Sequence, residues 1–170
     1  MPPSDDSADG GAPFERSVVV APGVRVPYPE PTSEAASAVG RANRRRDTRC
    51  EVALRSALHR RGLRFRKDHP IVAGDVRVRP DVVFTRAKVA VFVDGCFWHG
   101  CPDHCHLPKR NLDYWLPKLD ANRARDERVT AALRSAGWRV VRVWEHEPPD
   151  AAAAAIATLV RAGPRDIDLG

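Results

Sequence analysis

Residues 91–106 read VFVDGCFWHGCPDHCH, and this stretch decides the class of fold and much of the chemistry. An apolar strand comes first, and soft metal ligands follow it at four positions, Cys96, Cys101, His104 and Cys105. Thiolates and imidazoles that lie so close together favour Zn2+, which binds S and N donors with tetrahedral geometry. The stretch therefore predicts a structural zinc site at the end of a strand.

Two large aromatic residues, Phe97 and Trp98, stand next to each other between these ligands. They belong to a tight loop beside Gly95 and Gly100, where two adjacent side chains cannot both point into one core. We therefore expect at least one of the two rings to face outward.

Composition narrows the class of protein. A chain of 170 residues with 43% hydrophobic residues supports one domain, and its net charge of +6 favours an acidic partner, either nucleic acid or an anionic membrane surface. No run reaches the roughly 18 apolar residues that a membrane span needs, and a signal peptide is not evident, so we expect a cytoplasmic protein. Cysteines stay reduced in that compartment, which favours metal binding over disulfides.

The two ends of the chain differ from its middle. Residues 1–33 are rich in Pro, Gly, Ser and Asp, which is typical of a disordered arm. Residues 150–170 combine an Ala-rich stretch, which favours a helix, with a polar tail. The segment between them, residues 34–149, is the predicted functional domain.

The first firm helix signal is a capping box, in which Thr48 precedes Glu51 by three residues. An apolar stripe then indicates a helix that ends near Gly62. The members of this stripe are Val52, Leu54, Leu58 and Leu63.

Strand and helix signals alternate after this helix. β-Branched residues predict strands over residues 76–84 and 88–93, which we expect to form a hairpin or to be close neighbours. Residues 116–136 read as a long amphipathic helix closed by Gly137, and residues 138–144 as one more strand. The order indicates a mixed α/β domain with helices flanking a sheet.

A candidate site for a hard cation lies on the two predicted strands. Asp81 follows Pro80 among apolar neighbours, so its carboxylate emerges from a largely buried strand. Asp94 ends the next strand, and the two carboxylates could face one divalent ion, in the oxygen-liganded arrangement that Mg2+ prefers. A Pro-Asp pair at a strand start is also typical of an ordinary turn.

Four blocks of the sequence, taken together, resemble a known family in their order and spacing. They are RPDVVF, VFVDGCFWHGCPDHCHLPKRN, YWLPKLDANRARD and GWRVVRVWEHE. Together they resemble the very short patch repair family of DNA mismatch endonucleases, and the resemblance covers about residues 44–147. It implies a zinc-stabilised relative of the restriction-endonuclease fold, with a mixed sheet flanked by helices. It also implies recognition of a T:G mismatch and a Mg2+-dependent cut 5′ to the mismatched thymine.

The resemblance assigns catalytic roles. Asp81 matches the metal-binding aspartate, and Val93 takes the place whose backbone carbonyl helps to hold Mg2+. His99 matches the catalytic histidine, which can accept a proton from water near neutral pH, and Asp126 matches the acid that orients it. Glu51 matches a glutamate near the metal water. Each has a plainer alternative: a helix cap for Glu51, a zinc ligand or surface residue for His99, and a solvated helix charge for Asp126.

The resemblance also assigns the zinc ligands, which are Cys96, Cys101, His104 and His146. Some members of the family carry Cys where this chain has His146, and either residue can bind zinc. Cys105 could replace His104 as the third ligand. Asp94 stands where the best-known family pattern has His, so this extra carboxylate could bind Mg2+ directly.

Recognition of a mismatch requires deformation of the duplex, and apolar side chains can unstack a weak base step. Phe97 and Trp98 fit such a wedge, and Trp115 could pack beneath them or belong to the core. Phosphate contacts are expected from an arginine run that precedes the first helix, formed by Arg44, Arg45 and Arg46. The family's apolar N-terminal wedge is not evident in this chain.

The sequence thus predicts a monomeric, Mg2+-dependent and strand-specific DNA endonuclease that acts on T:G mismatches left by deamination of 5-methylcytosine. A functional link to a DNA cytosine-5 methyltransferase follows from that substrate. Two alternatives stay open: a non-catalytic, zinc-stabilised DNA-binding module and a less selective nuclease of the same fold.

Overall fold

The computed structural model describes residues 17–21, 24–27 and 47–163. In chain order the elements are β1 (Ser17–Ala21), β2 (Val24–Pro27), α1 (Arg49–Arg60), β3 (Arg66–Lys67), β4 (Ile71–Ala73), β5 (Val76–Val78), β6 (Val82–Phe84), β7 (Val89–Asp94), α2 (Leu112–Ser135), β8 (Arg139–Trp144) and α3 (Pro149–Arg161). In these ranges no helix is both long and apolar enough to cross a membrane.

A four-stranded mixed sheet in the order β3-β6-β7-β8 forms the centre. β6 and β7 are antiparallel, with Val82 opposite Val91, whereas β7 and β8 are parallel, with Asp94 opposite Trp144. The parallel pair is connected through α2, as a parallel pair requires a crossover. The predicted mixed α/β fold, a sheet flanked by helices, is confirmed.

The core has two parts because successive residues of β7 point to opposite faces of the sheet. Val89 and Val91 belong to a cluster that includes Leu58 of α1 and Ile156 of α3. Ala90 belongs to a second cluster, which contains buried residues of α2, β4 and β5. Helices therefore cover both faces, which explains why β7 is apolar almost throughout.

α1 begins after Thr48, whose side chain accepts a hydrogen bond from the backbone N–H of Glu51 at 3.4 Å. The predicted apolar stripe is wrong at Val52, which is 49% exposed, although Leu54 and Leu58 are buried. Because each residue turns the helix by about 100°, Val52 lies roughly 200° away from Leu54. The buried stripe is completed by Ala57 instead.

The prediction of a single strand over residues 76–84 is wrong. β5 pairs with β4 in a separate hairpin, and β6 joins the central sheet. Pro80 and Asp81 lie between them, and Pro80 has no N–H to contribute to a ladder. This break turns the chain so that Asp81 precedes β6 directly.

α2 begins at Leu112, before the predicted residue 116, and carries Pro117 within it. Asn111 introduces the helix from the left-handed region, at a φ of 57°. At the other end Gly137 has a φ of 78°, as expected for a residue that closes a helix.

The stretch predicted as a disordered arm contains a two-stranded antiparallel hairpin, β1–β2. Its strands read SVVVA and VRVP, and such β-branched residues favour extended backbone. The rest of the predicted arm lies outside the described residues, as do Arg44, Arg45 and Arg46 and the tail after residue 163. α3 begins at Pro149 and packs into the core of the same domain.

Candidate active site and metal centre

A cavity of ≈ 630 Å³ opens beside the end of β7. Its wall includes all five residues for which the sequence predicts acid, base or cation-binding roles: Glu51, Asp81, Asp94, His99 and Asp126. They come from α1, the break before β6, the end of β7, the following loop and α2. Side chains up to 75 residues apart in the chain are thereby brought to one site.

Asp81 is held from one side by the backbone N–H of Val93, which donates to its Oδ2 at 2.7 Å. Burial raises the pKa of Asp81 to about 6, although the Val93 N–H opposes this and nearby acids, Glu51 first, add to it. A carboxylate in such surroundings is suited to a divalent cation, because the cation offsets its lost hydration and the neighbouring negative charge. Val93 also lines the cavity.

Glu51 caps the N-terminus of α1 and also lines the cavity. Its Oε1 accepts from the hydroxyl of Thr48 at 3.0 Å, and its Oε2 accepts from the backbone N–H of Asp47 at 2.9 Å. The residue is only 6% exposed, and it lies on the cavity wall. The capping interpretation and the active-site interpretation are therefore compatible.

His99 and Asp126 form a close pair, with 2.5 Å between Nδ1 of the imidazole and Oδ2 of the carboxylate. Burial disfavours the charged form of Asp126, but the hydrogen bond and charge of His99, with Arg142, lower its pKa below the ordinary value. A carboxylate on Nδ1 orients the ring and leaves Nε2 for proton transfer.

Arg142 is a site residue that the sequence interpretation missed. Its Nη1 donates to Oδ2 of Asp94 at 2.7 Å, and its Nη2 lies 3.1 Å from Oδ1 of Asp126. A lone arginine inside the apolar strand VVRVW was the available signal. The guanidinium joins two carboxylates that both approach the imidazole of His99.

Asp94 is buried, at 4% exposure, and its carboxylate is engaged by side chains rather than being open to a metal ion. Besides Arg142, it has Oδ1 3.7 Å from Nδ1 of His99. Burial raises the pKa of Asp94, and the charges of His99 and Arg142 oppose that rise. Its contacts thus suit a role beside His99 better than direct binding of Mg2+.

A second cluster could hold a metal ion with soft ligands. One donor atom each from Cys96, Cys101, His104 and His146 lies within 4.8 Å of all the others. The sulfur-to-nitrogen distances include 3.1 Å, 3.8 Å and 3.9 Å. Tetrahedral zinc would separate S and N donors by about 3.6 Å, so the donor set fits Zn2+.

The parallel pairing of β7 and β8 explains how this cluster forms. Asp94 and Trp144 are register partners, so the loop after β7 meets the residues after β8. Glu145 strengthens the junction, because its carboxylate accepts from the backbone N–H of Cys96 at 2.7 Å. Cys105 is not in the cluster, and its sulfur lies 3.8 Å from the carbonyl of Phe97.

Phe97, Trp98 and Trp115 form an aromatic triad beside the cluster. The ring centroid of Phe97 lies 5.1 Å from that of Trp98 and 5.1 Å from that of Trp115, and the two indoles are 5.8 Å apart. Trp98 is 37% exposed, which agrees with the expectation of an outward ring. Trp115 supports the other two from α2, whereas Trp138 packs against the core.

The sequence profile described as DNA mismatch endonuclease Vsr matches residues 31–107. The type II nicking enzyme V.NaeI of Lentzea aerocolonigenes is 55% identical over 134 residues, which cover 78% of this chain and 81% of the relative. The DNA mismatch endonuclease Vsr of Escherichia coli is 40% identical over 108 residues, or 62% of this chain and 65% of the relative.

Fold, site and relatives together define a DNA endonuclease with a mixed α/β core. More narrowly, the chain belongs to the family of the DNA mismatch endonuclease Vsr. A second nicking enzyme, V.XorIIP of Xanthomonas oryzae pv. oryzae, is 49% identical over 110 residues, which cover 63% of this chain and 76% of the relative.

Proposed function

We propose that this protein is a Mg2+-dependent, strand-specific endonuclease that nicks 5′ to the thymine of T:G mismatches arising from 5-methylcytosine deamination. The observation that carries the proposal is the shared cavity of Asp81 and the His99–Asp126 pair. It combines a desolvated carboxylate, with a pKa raised to about 6, and an imidazole that is already oriented. These groups supply a cation site and a base to one phosphodiester.

In this proposal Asp81 is the principal ligand of Mg2+, with the backbone carbonyl of Val93 and the nearby Glu51 completing the site. Bound Mg2+ would supply positive charge for the oxygens of the phosphate as negative charge develops on them. His99 accepts the proton of the attacking water at Nε2. Asp126 holds Nδ1 and stabilises the imidazolium that forms.

A Zn2+ ion at Cys96, Cys101, His104 and His146 is proposed to be structural. These ligands connect the loop after β7 with the end of β8. Phe97, Trp98 and His99 lie between the first two ligands in the chain. Zinc would therefore fix both the aromatic wedge and the catalytic imidazole in a short loop that has little regular structure.

Recognition of the mismatch is assigned to the aromatic triad. Trp98 is exposed, and its ring is supported by an edge contact from Phe97 and a tilted contact from Trp115. Insertion of such rings separates a base step at a cost of a few kcal/mol, which is least where pairing is already poor. Arg44, Arg45 and Arg46 remain proposed phosphate contacts, and a monomer linked functionally to a cytosine-5 methyltransferase remains part of the proposal.

A less selective nicking enzyme is the second candidate, since V.NaeI and V.XorIIP are named type II nicking enzymes rather than mismatch endonucleases. A non-catalytic DNA-binding module is disfavoured by membership of an endonuclease family and by the oriented His99–Asp126 pair. The two nicking candidates share a mechanism and differ only in the DNA that they accept.

The test is nicking of an end-labelled duplex that carries one T:G mismatch, beside the matched T:A duplex. Mg2+ should be omitted rather than chelated in the control, because a chelator would also remove zinc. We expect a Mg2+-dependent cut 5′ to the mismatched T that disappears in Asp81→Ala while DNA binding persists. Equal cutting of both duplexes would favour the less selective enzyme, and tight binding without any cut would favour the binding module.

A further inference from the structure

We propose that four arginines around the mouth of the catalytic cavity grip the DNA phosphate backbone from two sides. This arginine rim consists of Arg77, Arg79, Arg125 and Arg128. The inference rests on the proposed function, because it takes the ligand of this cavity to be a DNA strand. It adds a backbone-binding surface on the folded core that is separate from the arginine run before α1.

The rim residues come from two different elements that line the same cavity. Arg77 lies on β5 and Arg79 just after it, whereas Arg125 and Arg128 are three residues apart on α2. All four are exposed. Residues at i and i+3 of a helix share a face, so Arg125 and Arg128 act from one side.

The two sides of the rim are connected by packing beneath them. Val76 of β5 and Val129 of α2 belong to the same buried cluster. Because residues alternate along a strand, a buried Val76 turns its neighbour Arg77 to the open face. Three of the four rim residues thus project from regular elements that pack together, and Arg79 directly follows one of them.

Within the part of the chain whose side chains the structure describes, the guanidinium groups of the rim have few partners. Within residues 47–163, the side chains of Arg77 and Arg128 take part in neither an ion pair nor a hydrogen bond. Arg125 reaches a carboxylate only at 3.9 Å, from its Nη2 to Oδ1 of Asp126, and Arg79 donates to the backbone carbonyl of Asp68 at 3.1 Å. By contrast, Arg142 deeper in the cavity is engaged by both Asp94 and Asp126.

The cavity needs such a rim for electrostatic reasons. Its wall carries several carboxylates, among them Glu51 and Asp81, which would repel an approaching phosphodiester. A bound cation offsets part of that repulsion at the scissile phosphate only. Guanidinium groups bind phosphate in a planar, bidentate manner, so an exposed rim would hold the flanking phosphates.

The chain offers a matched control elsewhere on its surface. A groove of ≈ 430 Å³ is lined by Arg64, Arg66 and Arg86 together with apolar residues of the β6 region. These arginines are exposed as well, but none of the proposed catalytic residues lines that groove. Replacing Arg64 and Arg86 removes the same charge as replacing Arg77 and Arg128, without touching the catalytic cavity.

The experiment measures DNA affinity against salt concentration, by fluorescence anisotropy without Mg2+, on T:G and matched duplexes. Removal of one arginine that binds a phosphate should reduce the slope of log K against log salt by about 1. We expect Arg77→Gln and Arg128→Gln each to cause that reduction, and their combination to reduce the slope by about 2. Arg64→Gln and Arg86→Gln should leave the slope nearly unchanged.

Equal slopes for rim variants and wild type, or equal reductions in the rim and control variants, would overturn the proposal. Nicking of the same duplexes by the wild type is measured separately. If the wild type binds with a steep salt dependence but never nicks, the proposed function fails while the rim is judged on its slopes. If the wild type binds neither duplex, both proposals are refuted.

Discussion

Asp81, the proposed ligand of Mg2+, lowers the stability of the folded protein when no cation is bound. Its pKa in the folded protein is about 6, against an ordinary value of 3.8, chiefly because it is buried. The folded protein therefore binds a proton on Asp81 more tightly than the unfolded chain does. This proton stabilises the folded state fully below about pH 4, and the contribution is lost as the pH rises through 6. Without a divalent cation, the ionised carboxylate at neutral pH destabilises the fold by up to about 3 kcal/mol.

Asp81→Asn should therefore abolish nicking and yet stabilise the protein in the absence of Mg2+. At pH 8 we expect the free energy of unfolding of the zinc-loaded variant to exceed that of the wild type by about 1–3 kcal/mol. Near pH 4.5 the difference should fall to roughly a third of its value at pH 8, because Asp81 is then protonated in the folded wild type but still largely ionised in the unfolded chain. Denaturant unfolding at the two pH values measures this, with the exposed Asp120→Asn as control. A variant less stable at pH 8 would contradict the argument.

Arg142 is the residue that lets a buried acid, Asp94, and a half-buried one, Asp126, share one imidazole. Asp94 and Asp126 both approach Nδ1 of His99, and two carboxylates so placed would repel each other without the guanidinium between them. Loss of Arg142 should therefore disturb the orientation of His99 rather than the binding of DNA.

For Arg142→Gln we expect kcat to fall by about 10- to 100-fold while the affinity for DNA is nearly unchanged. Adding Asp94→Asn should recover part of the loss, because it removes the repulsion that Arg142 offsets. Single-turnover nicking and equilibrium binding separate the two effects. Arg139→Gln is the matched control, since Arg139 also lies on β8 but donates to the backbone carbonyls of Ala87 and Leu159. A loss confined to affinity would refute the positioning role.

At the scale of elements, the unit β7–α2–β8 assembles the site. Its parallel strands end side by side, so the loop after β7 and the residues after β8 can share a metal ion. The contacts favour His104 over Cys105 as the third ligand, because the Cys105 sulfur lies outside the cluster.

We accordingly expect Cys105→Ser to bind zinc in the same ratio as the wild type and His104→Asn to bind it more weakly. Native mass spectrometry of proteins purified in limiting zinc gives the ratio directly. Full occupancy in His104→Asn together with loss in Cys105→Ser would mean that Cys105 is the ligand. The conservative His146→Cys should retain zinc, because thiolate and imidazole are both good zinc donors.

The loop also presents the aromatic triad, whose exposed member is Trp98. Trp98→Ala should reduce the preference for T:G over T:A duplexes by about tenfold, since stacking of one ring on a base contributes about 1–3 kcal/mol. Competition nicking of the two duplexes in one tube measures the preference. Trp138→Ala is the comparison, because Trp138 packs against the core and its loss should lower stability instead. An unchanged preference in Trp98→Ala would remove the triad from recognition.

Different helices pack on the two faces of the central sheet. α1 and α3 pack with Val89 and Val91 on one face, and α2 with the β4–β5 hairpin covers the other. The proposed catalytic cavity lies at the edge of the α2 face, and α1 contributes Glu51 to it from its first turn. The large apolar core should therefore keep much of the fold when the metal is removed.

Removal of zinc from the whole protein should lower Tm and abolish nicking while leaving most of the far-UV circular dichroism in place. The reason is that the cluster orders the loop with His99, whereas the sheet and helices have their own buried core. Zn2+ should restore activity and Mg2+ alone should not. Complete unfolding on chelation would indicate that the core depends on the metal.

Local pattern was enough to predict the mixed α/β class, the helix after Thr48 and part of both candidate donor sets, whereas His146 and Val93 were assigned only by the family resemblance. These features depend on periodicity, capping and side-chain chemistry, which are encoded over short segments. The same reasoning failed at residues 76–84, where continuous β-branched residues concealed the change of sheet at Pro80. It also failed at Val52, whose apolar side chain suggested a core position that the turn of the helix does not give it.

The sequence by itself determined which residues have chemistry: the clustered cysteines and histidines, the adjacent aromatics and the acids at the ends of apolar strands, Asp81 before one and Asp94 closing the next. Tertiary structure alone decided which of them meet. Asp94 and Arg142 are 48 positions apart and become partners only because β7 and β8 pair in parallel. Burial likewise raises the pKa of Asp81, and the desolvation that causes this exists only when distant segments exclude water together.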